Sequence, residues 1–340
     1  MQRKAVLLGC GPRARGRAEA YGLVTSARLT ACCDLNDTRL AEFADAHGIP
    51  GRYTSLPEML ERERPDLVHV VTRPDLRVAV LTQLAEAGVP AVLVEKPACV
   101  AVHDYRALRR LAAESNTRFA VNLQLRHHPR VLAFLDEVQR GTIGQVRMVD
   151  ASAGLPVAGQ GVHVLDLMFA FAGYPAVERV VGTAAGYDDI DGTHPSPRSM
   201  TAVVTFAGGV RGVMHAGEGY PVFEANPAAW MHKRVAVYGT HGFRHWRMAG
   251  WEQSTADGQV IGGLSDYAAE DLPGQAALTE AVLAWIDGGP TPPTHLDQAL
   301  DEWLVVLACY QSILTRRSVD FPFEPDDDLL ERYRAASMES

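Results

Sequence analysis

Across residues 4–120, short apolar runs alternate with helix-patterned segments, and this alternation constrains the fold more than any other feature of the chain. The runs at 4–8, 28–33, 67–71, 91–95 and 118–121 are nearly continuous in apolar residues, as strands are when a parallel sheet is covered on both faces. Between them the patterning predicts helices. One spans 12–23, with Pro12 in its first turn, and one spans 37–47 with an aspartate cap. A third follows the capping box Ser55-Leu56-Pro57-Glu58, and two more lie at 74–87, ended by Gly88, and at 102–115. Strand and helix alternating in this way imply right-handed crossovers and a doubly wound α/β sheet.

After about residue 122 the pattern changes. Helices are predicted at 129–140 and 161–172, and strands at 145–152, 177–186, 200–206, 210–215, 234–238 and 242–246, with Gly208-Gly209 as a hairpin turn. Helices at 274–287 and 297–315 follow, separated by a Gly/Pro linker at 288–293. The acidic segment Asp326-Asp327-Asp328 and the residues after it read as a solvated tail. The expected division is 1–122 as an α/β domain, 123–325 as an α+β domain with a mainly antiparallel sheet, and 326–340 as a tail.

A chain of 340 residues is long enough for two cores. Its formal charge of −9 argues against a nucleic-acid partner, which needs a concentrated basic face. No apolar run approaches the roughly 20 residues of a membrane span, and the apolar stretch after Met1 is too short for a signal peptide, so the expected address is cytoplasmic. Cys10, Cys32, Cys33, Cys99 and Cys309 show no metal-ligand spacing and read as reduced, mostly buried thiols; no metal is expected. Lysine occurs only at 4, 96 and 233, which makes Lys96 one of few side chains able to exchange an ammonium proton near neutrality.

The strongest local motif is Gly9-Cys10-Gly11-Pro12-Arg13-Ala14, a G-x-G-x-x-A between the first strand and the first helix. Gly9 permits the tight turn, Gly11 leaves no side chain between backbone and a pyrophosphate, and Ala14 lets helix approach strand, which together predict a Rossmann-type dinucleotide site. Asp34 ends the second strand, where a carboxylate accepts from the adenosine ribose hydroxyls. That placement favours NAD over NADP, with Arg39 close enough to soften the preference.

Glu95-Lys96-Pro97 closes the strand at 91–95 and, read alone, is an ordinary strand terminus. Together with the glycine motif, Thr72-Arg73-Pro74-Asp75, Asn122 to Arg126 with Pro129, His163-Val164-Leu165-Asp166, Tyr238-Gly239-Thr240-His241-Gly242 and the helix at 297–312, it resembles the Gfo/Idh/MocA family of glucose-fructose oxidoreductase and inositol dehydrogenase relatives. The resemblance implies a nucleotide domain, a substrate domain whose open sheet serves homo-oligomerisation, and a cis peptide before Pro97. It also implies that Gly9, Gly11, Pro12, Arg13, Ala14, Asp34, Thr72, Glu95 and Lys96 bind the cofactor. Lys96 and His163 are then the catalytic pair, Asp166 orients His163 or binds a substrate hydroxyl, and Arg126 contacts the nicotinamide or the substrate.

Two positions depart from the family pattern. Gly159 stands four residues before His163, where an aspartate is common, and Arg77 stands where many relatives have histidine. Arg77 reads either as a binder of an acidic group or as a solvated helix arginine. His127-His128 are adjacent and point apart, and Trp230, His232 and Lys233 border a loop at 218–231 that either covers a sugar-sized substrate or only connects strands. The leading expectation is an NAD-dependent oxidoreductase acting on a secondary alcohol or ketone of a sugar, cyclitol or sugar nucleotide. The alternatives are a redox-neutral epimerase, lyase or glycosidase with tightly held NAD, and a non-catalytic dinucleotide-binding protein.

Overall fold

The computed structural model describes residues 2–186 and 194–338, and its described residues divide into two compact units. The first unit comprises residues 1–99, 104–127 and 271–300, and the second comprises 100–103, 128–270 and 301–340.

In the first unit the predicted apolar runs become strands β1 (Arg3–Leu8), β2 (Ala27–Cys33), β4 (Leu67–Val70), β5 (Ala91–Val94) and β6 (Arg118–Val121), joined by a short β3 (Gly51–Tyr53) too brief for the patterning to reveal. All pair in parallel in the order β3-β2-β1-β4-β5-β6. Full burial explains the unbroken apolar runs: Ala5, Val6, Leu67, Val68, Val92 and Val94 expose no surface. The crossovers carry α1 (Ala14–Ala20), α2 (Asp37–His47), α3 (Leu56–Glu63), α4 (Arg77–Glu86) and α5 (Val102–Glu114). Asn36 rather than Asp37 caps α2, its side chain accepting from the Arg39 amide, and Ser55 caps α3. Helix α1 is shorter than the patterning predicts, because Tyr21, Gly22 and Leu23 donate to carbonyls three residues back and wind into turns.

The second unit holds α6 (Pro129–Gln139), β7 (Val146–Ala153), α7 (Val162–Ala172), β8 (Val177–Ala185), β9 (Ser199–Phe206), β10 (Arg211–Gly217), β11 (Lys233–Gly239), β12 (Phe243–Arg247), β13 (Gly250–Ser254) and β14 (Val260–Leu264). Next come α8 (Tyr267–Ile286), α9 (Leu296–Thr315), β15 (Val319–Asp320) and α10 (Leu329–Met338). The nine-stranded sheet runs β14-β13-β12-β11-β7-β10-β9-β8-β15, antiparallel except where β10 meets β7. Burial alternates along β9: Met200, Ala202, Val204 and Phe206 are covered, while Val203 is exposed beside its register partner Val181. Helix α7 covers the inner side against β7, β10 and β11, and every residue from Val162 to Phe171 is buried.

Two sequence expectations are corrected here. The residues after the acidic segment are not a solvated tail: Leu329, Leu330 and Tyr333 of α10 are buried, and Tyr333 stacks on Tyr310 of α9. Helix α8 begins seven residues before position 274, because Pro273, which signals a boundary in sequence, sits inside the helix. The part of α8 that belongs to the first unit packs Ala276, Leu278, Val282 and Leu283 with Ala5, Leu67, Ala91 and Leu93 of the parallel sheet.

Candidate active site

The loop after β1 is shaped by two different demands on glycine. Gly9 takes φ 96°, and a Cβ there would lie 2.7 Å from the Val71 carbonyl oxygen, so packing and conformation both require its hydrogen. Gly11 is different, because a Cβ there would meet nothing within 4 Å. No protein neighbour demands glycine at that point, which leaves the backbone open to close approach, as a pyrophosphate needs. Ala14 is buried in a cluster with Leu7, Cys10 and Cys32, while Pro12 and Arg13 are exposed. Thr72, after β4, keeps a buried hydroxyl oxygen with no hydrogen-bond partner among the described residues. These residues fit a dinucleotide.

Asp34 follows β2 and is held by four donors. The Cys10 amide reaches Oδ2 at 2.8 Å and the Asn36 amide reaches Oδ1 at 2.9 Å; Arg39 adds Nε to Oδ2 at 3.0 Å and Nη2 to Oδ1 at 2.6 Å. Burial disfavours the charged carboxylate, yet the bonds from Arg39 and the two amides outweigh it and hold Asp34 below the usual aspartate range.

Glu95 and Lys96 follow β5 at the same carboxyl edge of the sheet. Glu95 Oε1 accepts from Arg17 Nε at 3.0 Å and Nη2 at 2.8 Å, and from Asn122 Nδ2 at 2.8 Å. Arg17 Nη1 also donates to Gln275 Oε1 at 2.6 Å, and Gln275 in turn donates to Asp271. Glu95 thus anchors a buried network drawn from α1, β5, the end of β6 and α8. Lys96 is 3% exposed, and its peptide bond to Pro97 is cis, as the family resemblance implies. Burial first, then the charge of Arg13, lower its pKa; Glu95 pulls the other way, Arg77 and Arg17 add to the lowering, and the result is about 7.

Arg77 is no solvated helix arginine. It is 2% exposed at the start of α4, and its Nη2 donates to the carbonyls of Thr72 at 3.2 Å and Lys96 at 3.4 Å. Burial lowers its pKa to about 10, which still leaves it charged at neutral pH. Arg126 is buried in the 3-10 turn Gln124–His127 of the first unit.

His163 and Asp166 lie in the second unit, both buried on α7. Gly159 sits in a π-helical turn, Val157–Gly161, that runs straight into α7 with helical dihedrals at Gly161 and Val162. Position 159 therefore lies about one helical turn before His163. A Cβ at 159 has only the Leu155 Cβ near it, at 3.9 Å, so the missing aspartate is not excluded by space. Gly161, by contrast, would place a Cβ 2.9 Å from the Ala216 Cβ of β10.

The remaining candidates take structural contacts within the second unit. His128 pairs with Glu270 at 2.8 Å, lies parallel to the Tyr267 ring and meets Trp246 edge-on. Lys233 is buried, donates to the Trp230 carbonyl and lies 5.7 Å from the Trp230 ring centroid, while His232 is buried against Tyr220. Among the described residues no group of three or more His, Cys, Asp or Glu is arranged to hold a metal ion. Arg17 and Gln275 escape sequence reading, because each looks like a polar residue on an amphipathic helix and only the folded chain brings them to Glu95.

Residues 3–123 match the model of the Gfo/Idh/MocA family, described as an oxidoreductase family with an NAD-binding Rossmann fold. Among curated proteins, the chain is 26% identical over 226 residues to the trans-1,2-dihydrobenzene-1,2-diol dehydrogenase of Bos taurus, covering 60% of this chain and 62% of that enzyme. It is 23% identical over 282 residues to the inositol 2-dehydrogenase of Rhizobium meliloti, covering 77% and 81%. Among solved structures, an oxidoreductase from Agrobacterium radiobacter in complex with NAD+, L-tartaric acid and magnesium superposes with TM-score 0.79 at 20% identity, covering 94% of this chain and 98% of that one. At that identity the superposition speaks for the fold alone.

Proposed function

On a first unit that carries the NAD-binding fold of the Gfo/Idh/MocA oxidoreductases, we propose that the chain moves a hydride between NAD and a secondary alcohol or ketone of a sugar, cyclitol or sugar nucleotide. The observation that carries this reading is Lys96: a buried amine at the carboxyl edge of the parallel sheet, on the same edge as Gly9, Gly11 and Asp34, with a pKa brought down to about 7. An amine poised there exchanges a proton at neutral pH without first losing a large solvation energy. The dehydrogenase relatives support the reaction class, and the inositol enzyme supports a polyol.

Bound nicotinamide supplies the hydride acceptor or donor, and this chain's residues do the rest. The loop at Gly9, Gly11, Pro12, Arg13 and Ala14 cradles the pyrophosphate, with Thr72 and the Glu95-Lys96 segment beside it, and Asp34 takes the adenosine ribose. Lys96 accepts the hydroxyl proton during oxidation, His163 is the second proton carrier, and Asp166 and Arg126 hold the substrate. Glu95 is buried beneath Arg17 and Asn122, so its part is to fix the Lys96 segment.

On this reading, residues 1–122, with 271–300 completing their core, serve the nucleotide, and the rest of 123–325 serves substrate and self-association. The exposed pair Val181 and Val203 on the open face of the nine-stranded sheet suits a second copy. The five cysteines, all buried and none in a disulfide, suit a reducing compartment. Among the described residues no helix is long and apolar enough to cross a membrane.

The test is incubation of the purified chain with NAD and a panel of cyclitols, aldoses and sugar nucleotides, following the absorbance of reduced nicotinamide. Reduction by one or more polyols is expected. Binding of NAD with neither reduction nor isotope exchange into any panel member would overturn the hydride-transfer reading.

A further inference from the structure

Arg77 opens α4 at the carboxyl edge of the parallel sheet, where it joins two strands beyond the end of their ladder. The last register pair of β4 and β5 is Val70 with Val94. Two residues further along each chain, Arg77 Nη2 donates to the Thr72 carbonyl on one side and to the Lys96 carbonyl on the other. Its Nε and Nη1 are buried with no hydrogen-bond partner among the described residues. A ligand does not reach those atoms, which sets aside direct contact with an acidic group. The carboxylates that attract the guanidinium are engaged elsewhere, Glu95 by Arg17 at 2.8 Å and Asp75 by Arg73 at 2.8 Å. A buried cation without a carboxylate of its own destabilises a fold, and such charges concentrate where they shift a neighbour's protonation.

We infer that Arg77 is the positioning residue of Lys96: it ties the Lys96 carbonyl to the end of β4 and sets an unneutralised cation beside the segment that carries the amine. Its part in turnover rests on the hydride-transfer reading, whereas its hold on the amine does not. A like charge disfavours the ammonium form. Behind burial, the first cause, Arg13 of the loop after β1 opposes the Lys96 ammonium, Glu95 of β5 favours it, and Arg77 of α4 and Arg17 of α1 oppose it. Arg13 is exposed, so solvent and salt screen it, and Arg17 is neutralised by Glu95. Among these three arginines, Arg77 is the one both buried and without a carboxylate. A histidine at this position would be neutral above about pH 6.5 and would supply no such charge.

The experiment reads the amine directly. Lysine occurs only at 4, 96 and 233, so labelling with lysine carrying 13C at Cε gives three NMR signals, and Lys96→Met identifies that of Lys96. The signal is titrated without cofactor or substrate in the native chain, in Arg77→Gln, which keeps an amide donor for the two carbonyls, and in Arg77→His. Thermal unfolding verifies that each variant is folded, and the histidine variant serves alone should the glutamine one not accumulate. The native midpoint is expected near 7, and both variants should raise it by about one pH unit. With any polyol that is turned over, the rising limb of kcat/KM should move by the same amount, so that oxidation at pH 6 falls about tenfold and recovers above the new midpoint. A loss of turnover equal at every pH, with the midpoint unmoved in the folded variants, would reduce Arg77 to a structural residue and overturn the inference. A native midpoint near the ordinary lysine value would remove Lys96 as proton carrier and the inference with it. Shifted midpoints with no polyol turned over would support the inference and count against the hydride-transfer reading alone.

Discussion

Asp34 and Glu95 occupy equivalent places: each is the first residue after a parallel strand, at the same edge of one sheet, and each is held by an arginine. The two pairs differ in what surrounds them. Arg39 lies five residues from Asp34 and is half-exposed, whereas Arg17 lies 78 residues from Glu95, with both side chains under 10% exposed and joined by Asn122 and Gln275. A half-exposed ion pair is worth little and exchanges partners readily, while a buried one is costly to break, since the survivor is left as an uncompensated charge. The first arrangement suits a carboxylate that must accept a ligand, and the second suits one that must not move.

The sharpest way to test that contrast is to alter the functional group at each end of the edge. Lys96→Met should cut turnover by about a hundred-fold to ten-thousand-fold while leaving NAD affinity within a few-fold. Asp34→Ala should do the reverse, weakening NAD by about tenfold or more with turnover at saturating NAD largely kept. For alcohol oxidation the sign with pH follows from the lowered Lys96 pKa. Below about 7 the amine is protonated and cannot accept the hydroxyl proton, so kcat/KM should rise with pH and level off above that value. Lys96→Met should lose this limb; a native profile retained in the variant would remove Lys96 from proton transfer.

The second effect concerns stability. Glu95→Ala should destabilise the fold by about 3–5 kcal/mol in urea unfolding, because Arg17 is then buried without its carboxylate. Should that variant fail to accumulate, Glu95→Gln offers an amide oxygen to Arg17 and is expected to fall between it and the native chain. A loss below about 1 kcal/mol in Glu95→Ala, the range of exposed pairs, would erase the distinction between the two arginines.

The smallest effect is expected at the other pair. Arg39→Ala should change unfolding stability by no more than about 1 kcal/mol, because the lost partner is the exposed one and the buried Asp34 carboxylate keeps its bonds from the Cys10 and Asn36 amides. A larger loss would mean that Arg39 is part of the scaffold and not free to leave Asp34.

The legible parts of this molecule were those set by neighbours in sequence. Gly9, Gly11, Ala14 and Asp34 sit within or next to local turns and strand ends, so motif and spacing suffice to place them. The short β3, the strand β13, the edge strands β14 and β15, and the packed helix α10 were not legible, because each is too short or too polar to announce itself before its partner strand or helix is present. The buried state of Arg77 was illegible for a related reason. An arginine opening a helix looks solvated until the Thr72 and Lys96 carbonyls close around it.

By itself the sequence determined the doubly wound parallel sheet, the position of the fingerprint loop and the identity of the acid that follows β2, since apolar period, glycine conformation and strand length act over a few residues. Only the tertiary structure decided that residues from α8 complete the first unit's core, that Arg17 rather than a nearer cation neutralises Glu95, and that Lys96 loses its proton near neutrality. Those outcomes depend on burial and on charged and polar groups brought together from positions as far as 258 residues apart, as Arg17 and Gln275 are. Desolvation and Coulomb energy are properties of that assembled surrounding and not of the residue that carries the group.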